Sequence, residues 1–463
     1  MKFYNTLTKK LEEFKSVKEG FVGFYTCGPT VYHYAHIGNM RNYIGHDILE
    51  KVLEYIGYDV KRVMNITDVG HLSRDADTGD DKMVKSAIKE NKTVMDIAKF
   101  YTDAFFKDFK KLNCDMPDVI EPATNLISEY IKIINVLLEK GYAYKSNGNV
   151  YFDISKLDSY YKLTNQSLED LQVGVRDDVD VDEFKRNPGD FVLWFTKSKF
   201  QDQELKWDSP FGVGYPGWHM ECTGISIKHL GEYVDIHGGG VDNIFPHHTN
   251  EIAQSEAYLG HEWCKYWFHN EHLNDESGKM SKSKGGILTV SVLEEKGYNP
   301  LSFRYMCLNS HYRKQMVFSY SNLDVAENAY KKLLNKISNI VNEGSLNRDV
   351  FEQYNNRFIE YISDDLNTSN GITLLYELLK DNNVNGKTKL ELIKSFDRVF
   401  SLDLIKDNVI SDKHDYIMKK IEERKIAKLN KDFALADKIR NDLLEEGIIL
   451  VDTREGTTYK MED

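Results

Sequence analysis

Two periodicities of apolar residues alternate along the first part of the chain. Residues 21–27 and 60–66 are short apolar runs typical of buried strands. Between them, residues 39–55 place Ile44 and Ile48 on one face of a predicted helix. A strand, a helix and a second strand within about 45 residues form a βαβ unit, which requires a parallel sheet and a right-handed crossover.

The pattern changes twice further along the chain. Helical periodicity covers residues 94–112 and 126–140, and another strand is predicted at residues 233–237. Residues 151–207 lack a sustained periodicity, which indicates an insertion, and after residue 318 the pattern is helical. We therefore predict an α/β fold, in which a split Rossmann-type parallel-sheet domain carries an inserted connective segment and is followed by all-α C-terminal domains.

The predicted segment boundaries follow these changes. The segments are 1–115 (first half of the sheet domain), 116–210 (connective insertion), 211–275 (second half of the sheet domain), 276–330 (a lysine-rich loop and the region after it), 331–410 (a helical bundle) and 411–463 (a terminal domain). Within the last segment, the spacing of Leu435, Ile439 and Leu443 predicts that residues 422–450 form a helical hairpin.

Composition and charge exclude several classes of protein. The 463 residues are 41% hydrophobic and 29% charged, which is typical of a folded chain with more than one domain. No apolar run reaches the ~20 residues that span a bilayer, and no apolar core follows the N-terminal residues. The five cysteines form no Cys-x-x-Cys pair, which favours reduced thiols. We expect a cytoplasmic protein that has no contact with membranes.

The net charge of −13 argues against a general affinity for nucleic acids. Residues 413–441 are an exception, because they carry nine Lys or Arg residues and five Asp or Glu residues. Considered alone, this segment is typical of a solvated helix face.

Two motifs are candidate anion sites. The HIGN motif at residues 36–39 lies between a predicted strand and a helix, where free helix N–H groups point at anions. The KMSKSKGG stretch at residues 279–286 places Lys279 and Lys282 on one loop. Two such lysines suit a clamp on a triphosphate, since nucleotidyl transfer needs positive charge where negative charge develops. Considered alone, the HIGN motif is better explained as a helix-entry turn. The KMSKSKGG stretch is the stronger signal, and a surface charge run is its alternative explanation.

Two further patterns suggest a nucleotide and a metal. In the HGGGVD stretch at residues 237–242, Gly239 permits close approach to an adenosine and Asp242 can accept from ribose hydroxyls. His247 and Glu251 are four residues apart and share one helix face. With Cys27 and Cys222 they form a donor set suited to Zn²⁺. Widely separated cysteines are also explained as core residues, so the residues alone leave both interpretations open.

The HIGN and KMSKS motifs together resemble the paired signature of the class I aminoacyl-tRNA synthetases. Three further blocks are similar to the cysteinyl-tRNA synthetase family, namely TCGPTVY at residues 26–32, PGWHMEC at residues 216–222 and FPHHTNE at residues 245–251. The resemblance implies one Zn²⁺ per chain, bound by Cys27, Cys222, His247 and Glu251.

The resemblance also implies roles for other residues that match the motifs of the family. The implied catalytic residues are His36, Asn39, Lys279 and Lys282. The implied ATP-binding residues are Thr30, His36, Gly38, Asn39, Gly239, Asp242 and Lys282. The implied cysteine-binding residues are Gly28, Thr67, Trp218 and His237. The implied tRNA-binding residues are Arg424, Lys425, Lys428 and Tyr459.

The implied function is cysteine–tRNA ligation by a monomer, with L-cysteine, ATP with Mg²⁺, and tRNA(Cys) as partners. Residues 276–330 would then form the KMSKS loop and stem-contact region, and residues 411–463 the anticodon-binding domain. The zinc would select cysteine over serine, because a thiol with a pKa near ~8.5 binds zinc as a thiolate and a hydroxyl does not.

Two alternatives stay open. A cysteine ligase with a small-molecule amine acceptor would share the pocket but lack the full terminal domain. A non-catalytic RNA-binding relative would have lost the lysine loop or the zinc set, and both are present here. The chain also departs from the family at three positions, with His33 where an acidic residue is frequent, Asn39 where a second histidine is usual and Tyr459 where tryptophan is usual. Asparagine still donates to phosphate, and tyrosine still stacks on a base.

Overall fold

The computed structural model describes residues 1–69, 72–74, 78–81, 92–164, 183–197, 205–275, 278–279, 287–405, 410–430, 432–453 and 456–461. The chain divides into two compact units. The first consists of Met1–Leu333 and Asn342–Leu402, and the second of Leu334–Val341 and Asp403–Asp463.

Strands occur mainly in the first two thirds of the chain, and helices dominate the last third. The strands are β1 (Lys2–Asn5), β2 (Lys10–Glu13), β3 (Phe21–Thr26), β4 (Asp59–Ile66), β5 (Leu72–Arg74), β6 (Thr78–Asp81), β7 (Val119–Pro122), β8 (Ala143–Ser146), β9 (Asn149–Phe152), β10 (Phe191–Phe195), β11 (Tyr215–Pro216), β12 (Val234–Gly240), β13 (Cys264–Asn270), β14 (Leu273–Asp275), β15 (Gly278–Lys279), β16 (Met316–Phe318), β17 (Ile448–Thr453) and β18 (Gly456–Met461). The α-helices are α1 (Ile37–Tyr55), α2 (Val94–Lys111), α3 (Ile127–Glu139), α4 (Trp218–Leu230), α5 (Thr249–Leu259), α6 (Val290–Glu295), α7 (Pro300–Leu308), α8 (Tyr320–Ser338), α9 (Arg348–Ile362), α10 (Thr368–Lys380), α11 (Gly386–Phe400), α12 (Ile410–Leu429) and α13 (Phe433–Glu445).

A five-stranded parallel sheet forms the centre of the first unit, with its strands in the order β13-β12-β3-β4-β7. The strands that come first in the chain, β3, β4 and β7, follow one another toward one edge of the sheet. The later strands, β12 and β13, follow one another from β3 toward the opposite edge. The strand order therefore reverses between β3 and β12. Ligands of open α/β sheets bind at the carboxyl ends of the strands beside such a reversal. The predicted βαβ unit and the parallel sheet are confirmed.

The structure corrects the sequence prediction at one strand and adds detail in the insertion. The triple glycine was predicted to follow a strand that ends at residue 237, whereas β12 continues through Gly240 and pairs with β13 up to Asn270. The region predicted as an insertion contributes β8, β9 and β10 to a four-stranded antiparallel sheet in the order β11-β10-β9-β8, and β11 lies just after the predicted end of that region. The strands are short, and a long connection separates β9 from β10, so they leave no sustained periodicity in the sequence.

The C-terminal part is helical as predicted, with one addition. Helices α12 and α13 form the predicted helical pair, but residues 448–450 begin strand β17 and do not continue the helix. Strands β17 and β18 form an antiparallel hairpin. Ile448 and Leu450 pack with Ile439 and Leu443 in the core of the second unit, which explains why the apolar spacing did not separate the strand from the helix.

A buried ion cluster holds α1 against the helices that follow the sheet. Asp47 accepts from Lys51 Nζ at 2.6 Å and from Arg304 Nη2 at 2.6 Å, and the side chains of Asp47 and Arg304 are fully buried. Arg304 also donates to the carbonyl oxygens of Phe400 at 2.6 Å and Leu112 at 3.0 Å. Burial alone would raise the pKa of Asp47, but Arg304 and then Lys51 hold that pKa below its usual value.

We predict that Asp47→Asn destabilises the protein by about 3–5 kcal/mol, because it leaves the Arg304 guanidinium buried without a counter-charge. Urea unfolding measures this change. Asp103→Asn is the matched control, since Asp103 pairs with Lys99 on an exposed face and should change stability by about 0.5 kcal/mol or less.

The same cluster predicts the direction of a pH dependence. A folded pKa below the unfolded value of about 3.9 stabilises the protein above that pH, and the contribution is lost as the pH falls through the folded pKa. Asp47→Asn should remove this part of the acid sensitivity. An Asp47→Asn protein as stable as the Asp103→Asn protein would contradict the role of the cluster.

Candidate active site and metal centre

Four separate elements bring Cys27, Cys222, His247 and Glu251 together at the carboxyl end of the sheet. Cys27 directly follows β3, and Cys222 lies in α4. His247 belongs to a π-helical turn, Ile244–His248, and Glu251 lies in the first turn of α5. All four side chains are buried, and their ligand atoms lie within 4.8 Å of one another. The structure thus brings together residues that the sequence alone could not show to meet.

The separations of these atoms lie within about 0.3 Å of those in a zinc site. The two thiol sulfurs are 4.0 Å apart, Cys222 Sγ is 3.4 Å from His247 Nε2, and that nitrogen is 3.0 Å from Glu251 Oε1. Zn–S bonds of about 2.3 Å and Zn–N bonds of about 2.0 Å in a tetrahedron place ligand atoms roughly 3.3–3.8 Å apart. Two soft sulfurs, an imidazole and a carboxylate fit Zn²⁺ by chemistry as well as by distance.

In the absence of a cation, burial disfavours the charged forms of the two thiols and the carboxylate. It raises the pKa of the Cys27 and Glu251 side chains well above their usual values, and it also raises the pKa of Cys222. A divalent cation reverses this balance, because metal ligands bind in their deprotonated forms and release their protons. The cluster is therefore built either to bind protons or to bind a metal.

A second layer of histidines contacts the candidate ligands. His219 Nδ1 lies 2.8 Å from His247 Nδ1, and His237 Nε2 lies 2.8 Å from Glu251 Oε2. Trp218 stacks on the His247 ring with the centroids 4.1 Å apart. Of the residues predicted to line the cysteine pocket, Trp218 and His237 therefore contact the metal set directly.

Sequence reasoning missed His248 and His269. His248 is fully buried, and together with Cys27, His237 and Glu251 it forms a second group of possible ligands that overlaps the first. Burial lowers the pKa of His248 well below its usual value and that of His269 to about 3. His269 stands near the end of an apolar strand-like run, but its pairing with Gly239 comes from the register of β12 and β13, which the sequence does not show.

The HIGN motif starts α1 with a reciprocal cap. His36 is the N-cap residue, and its Nδ1 accepts from the Asn39 N–H at 3.2 Å, while Asn39 Oδ1 accepts from the His36 N–H at 3.2 Å. A side chain at Gly38 would lie 2.9 Å from the His36 ring. Asn39, the residue that departs from the family motif, thus completes a capping box.

The predicted pocket residues Gly28 and Thr67 share a hydrogen-bond network on the other side of β3. Gly28 N–H donates to Asn65 Oδ1 at 2.7 Å, and the Thr67 hydroxyl donates to Glu221 Oε2 at 2.8 Å. A Cβ at Gly28 would lie 1.7 Å from the Asn65 carbonyl oxygen, so this position requires glycine. Thr30 and Thr67 form an isolated parallel bridge, which connects the loop after β3 to the residue directly after β4.

The remaining predicted nucleotide residues are only partly described. A Cβ at Gly239 would lie 2.5 Å from His248 Cε1, so this glycine makes room for a buried ring. Asp242 Oδ1 lies 3.4 Å from His272 Nε2. Lys279 ends the short strand β15, and Lys282 lies outside the described residues.

The predicted tRNA-binding residues differ in exposure within the second unit. Arg424 is only 5% exposed, whereas Lys425 and Lys428 are exposed. Lys425 pairs with Glu422 at 3.1 Å. Tyr459 is half-buried and packs against the core of the unit.

Comparison with known proteins identifies the family of this chain. Residues 13–328 match the family of class I (C) tRNA synthetase catalytic domains, and residues 357–401 match the DALR domain. Proteins named cysteine–tRNA ligase from Treponema denticola and Borrelia garinii subsp. bavariensis are each 45% identical to the chain, over 99% of both lengths. The chain belongs to the cysteine–tRNA ligase family of class I tRNA synthetases. A further relative of that name, from Brachyspira hyodysenteriae, is 42% identical over 99% of this chain and 98% of its own length. The family resemblance inferred from the motifs is confirmed.

Solved structures agree with the fold of this family. The methionyl-tRNA synthetase of Mycobacterium tuberculosis with methionyl-adenylate superposes with a TM-score of 0.57 at 13% identity, covering 85% of this chain and 96% of that one. The LeuRS of Agrobacterium radiobacter K84, in a ternary complex, gives a TM-score of 0.56 at 10% identity and covers 84% of each chain. At these identities the likeness shows the fold alone, and it confirms the predicted α/β class. None of the described helices combines the length and apolar character needed to cross a bilayer.

Proposed function

We propose that this protein is a cysteine–tRNA ligase. The carboxylate of L-cysteine attacks the α-phosphorus of ATP and releases pyrophosphate. A ribose hydroxyl of the 3′-terminal adenosine of tRNA(Cys) then loses its proton and attacks the carbonyl carbon, and AMP departs. The names of relatives that match the chain over nearly its full length support this activity. The observation that carries it is the buried set of Cys27, Cys222, His247 and Glu251 where the strand order reverses.

In this proposal Cys27, Cys222, His247 and Glu251 hold one Zn²⁺. When bound, the ion supplies a Lewis acid that takes a thiol as thiolate but is a much poorer partner for a hydroxyl. Cysteine and serine differ too little in shape for packing to give the ~10⁴–10⁵ discrimination that translation needs. The proposed ligand set thus accounts for substrate choice without a separate editing site.

The neighbouring pocket residues would hold the rest of the amino acid. Trp218 packs on the His247 ring and limits the space above the ligand set. Gly28, with no side chain, lets the chain after Cys27 pack against the Asn65 carbonyl oxygen, which a Cβ would approach to 1.7 Å. Thr67 donates to Glu221 and would form the side of the cysteine pocket next to β4. His237 holds the Glu251 carboxylate in place at 2.8 Å.

The nucleotide would lie across the carboxyl ends of β3 and β12. The N-terminus of α1 would face the phosphates through the Gly38 N–H, because the Ile37 N–H donates to the Leu288 carbonyl oxygen at 2.9 Å and the Asn39 N–H donates to His36 Nδ1 at 3.2 Å. His36 and Asn39 border that position. Gly239 and Asp242 would face the adenosine, and Thr30 would lie beside the phosphates. Catalysis would come from positioning the substrates and from stabilising the negative charge that develops on the phosphates. Mg²⁺, Lys279 and Lys282 would supply the positive charge there.

The tRNA would contact the C-terminal residues. Lys425, Lys428 and Tyr459 are the proposed contacts, and the basic balance of residues 413–441 favours phosphates. The burial of Arg424 favours a supporting role for that side chain within the unit. We retain residues 276–330 as the stem-contact region, 331–410 as the helical bundle and 411–463 as the anticodon-binding domain. We also propose a cytoplasmic monomer.

The metal set is tested by Cys222→Ser. We predict about one zinc per chain in the wild type, and a loss of most of it from the variant after brief exposure to a chelator, because a serine hydroxyl is a poor zinc ligand. Cysteine-dependent ATP–pyrophosphate exchange should fall at least about 100-fold. Elemental analysis and the exchange assay measure both quantities.

Cys264→Ser is the matched control for this test. Cys264 is 2% exposed in the same apolar cluster as Cys222 but lies outside the ligand set, so the variant should keep its zinc. Equal zinc retention by the two variants would rule out the proposed ligand set.

A change at Asn39 separates capping from catalysis. Asn39→Asp keeps an oxygen acceptor for the His36 N–H and adds a charge that favours the helix N-terminus by about 0.3–1 kcal/mol, so thermal stability should not fall. ATP–pyrophosphate exchange should slow by about tenfold or more, because the carboxylate repels the phosphates.

Asn347→Asp is the control, since Asn347 is the N-cap residue of α9, where its Oδ1 accepts from the Val350 N–H at 3.2 Å, and α9 contributes no residue to the candidate site. It should leave the exchange rate unchanged. If Asn39→Asp exchanged as fast as the wild type, Asn39 would not border the phosphates.

A further inference from the structure

A line of side chains leads from Cys27 through the buried His248 and His269 to the half-buried Thr6. Cys27 Sγ is 3.2 Å from His248 Nε2. His248 Nδ1 is 2.7 Å from His269 Nε2, and His269 Nδ1 is 2.8 Å from Thr6 Oγ1. The His248 side chain is fully buried, and His269 is 4% exposed. His248, His269 and Thr6 do not belong to the ligand set proposed above.

The direction of these hydrogen bonds follows from the form in which Cys27 would bind a metal. A thiolate has no proton to donate, so His248 must donate from Nε2 and accept at Nδ1. His269 must then donate from Nε2 and accept at Nδ1. Thr6 can satisfy that last acceptor because its hydroxyl carries a proton. A single arrangement of tautomers therefore satisfies every atom in the line.

We infer that His248, held by His269 and Thr6, is a positioning residue that orients and stabilises the Cys27 thiolate of the metal centre. Groups that contact metal ligands in this way fix ligand orientation and commonly change metal affinity 10–100-fold. This inference rests on the proposed function, because it assigns the line of residues to the zinc site.

The sheet itself supports this arrangement. Gly239 leaves room for the His248 ring, which a Cβ there would approach to 2.5 Å. His269 stands opposite Gly239 in the parallel register of β12 and β13, so it meets the same ring from the neighbouring strand. The Thr6 N–H donates to the Trp267 carbonyl at 2.9 Å, which holds Thr6 beside β13.

The geometry favours this role over a second metal position. His237 and His248 form a second group with Cys27 and Glu251, but that group shares two of the ligands of the first. An ion bound by the first group already takes Cys27 and Glu251, which leaves His248 to donate to the Cys27 thiolate at 3.2 Å. Metal stoichiometry distinguishes the two interpretations.

The test compares His269→Phe with His269→Gln in the full-length zinc-loaded protein. Phenylalanine fills the space without hydrogen bonds, whereas the glutamine amide both donates and accepts. We expect a colorimetric chelator to remove zinc about 10–100-fold faster from His269→Phe, and at near wild-type rate from His269→Gln. In the cobalt-loaded proteins, the sulfur-to-cobalt charge-transfer band should shift in His269→Phe and be restored in His269→Gln.

Thr6→Val keeps the inference testable if His269→Phe does not fold. It removes only the hydroxyl and should speed zinc release several-fold. Thr8→Val is its matched control, since among the described residues the Thr8 hydroxyl bonds within its own turn, to the Asn5 carbonyl oxygen, and the change should have no effect.

Three results would overturn the inference. The first is zinc release and a cobalt band unchanged in both His269→Phe and Thr6→Val, while the wild type binds one zinc, and this result leaves the proposed function intact. The second is two metal ions per chain, which would make His248 a ligand. The third is a wild type without zinc, which would contradict the proposed function as well.

Discussion

The cost of burying four ligand groups together is the constraint that organises this structure. Cys27, Cys222, His247 and Glu251 are almost completely removed from water, and burial disfavours the charged forms of the thiols and the carboxylate. Such a cluster is stable only when protons or a cation compensate it. The histidines around it satisfy the outward-facing atoms, so that the inward-facing atoms remain directed at one point.

The fold meets this constraint by placing the cluster where the strand order reverses. Cys27 directly follows the central strand. The other three candidate ligands come from the helical segments that precede and follow β12 in the chain. The same edge of the sheet exposes the N-terminus of α1, so a site suited to a thiol and a site suited to phosphates lie side by side. The Asp47–Arg304 cluster holds the middle of α1. The positions of the two sites therefore depend on one rigid core.

The sequence predicts much of this because the relevant signals are local. Periodicity finds α1, β3 and β4 to within a few residues, and motif spacing identifies the ligand set through the family. What it misses depends on tertiary contacts. His248 and His269 look like ordinary histidines until the register of β12 and β13 places them in line. The triple glycine resembles a turn, yet it continues β12, because Gly239 must make room for a buried ring. The hairpin of β17 and β18 is missed because its apolar residues belong to the same core as those of the helices before it.

In the proposed function, the metal centre itself recognises the substrate thiol. The most direct measurement is the absorption spectrum of the cobalt-loaded protein during titration with L-cysteine and, separately, with L-serine. A substrate thiolate that joins two protein thiolates adds a sulfur ligand, so the account predicts a saturable rise in sulfur-to-cobalt charge-transfer intensity with cysteine and no change with serine. Equal spectra after the two titrations would contradict the account, because the preference for cysteine would then have to arise elsewhere in the protein.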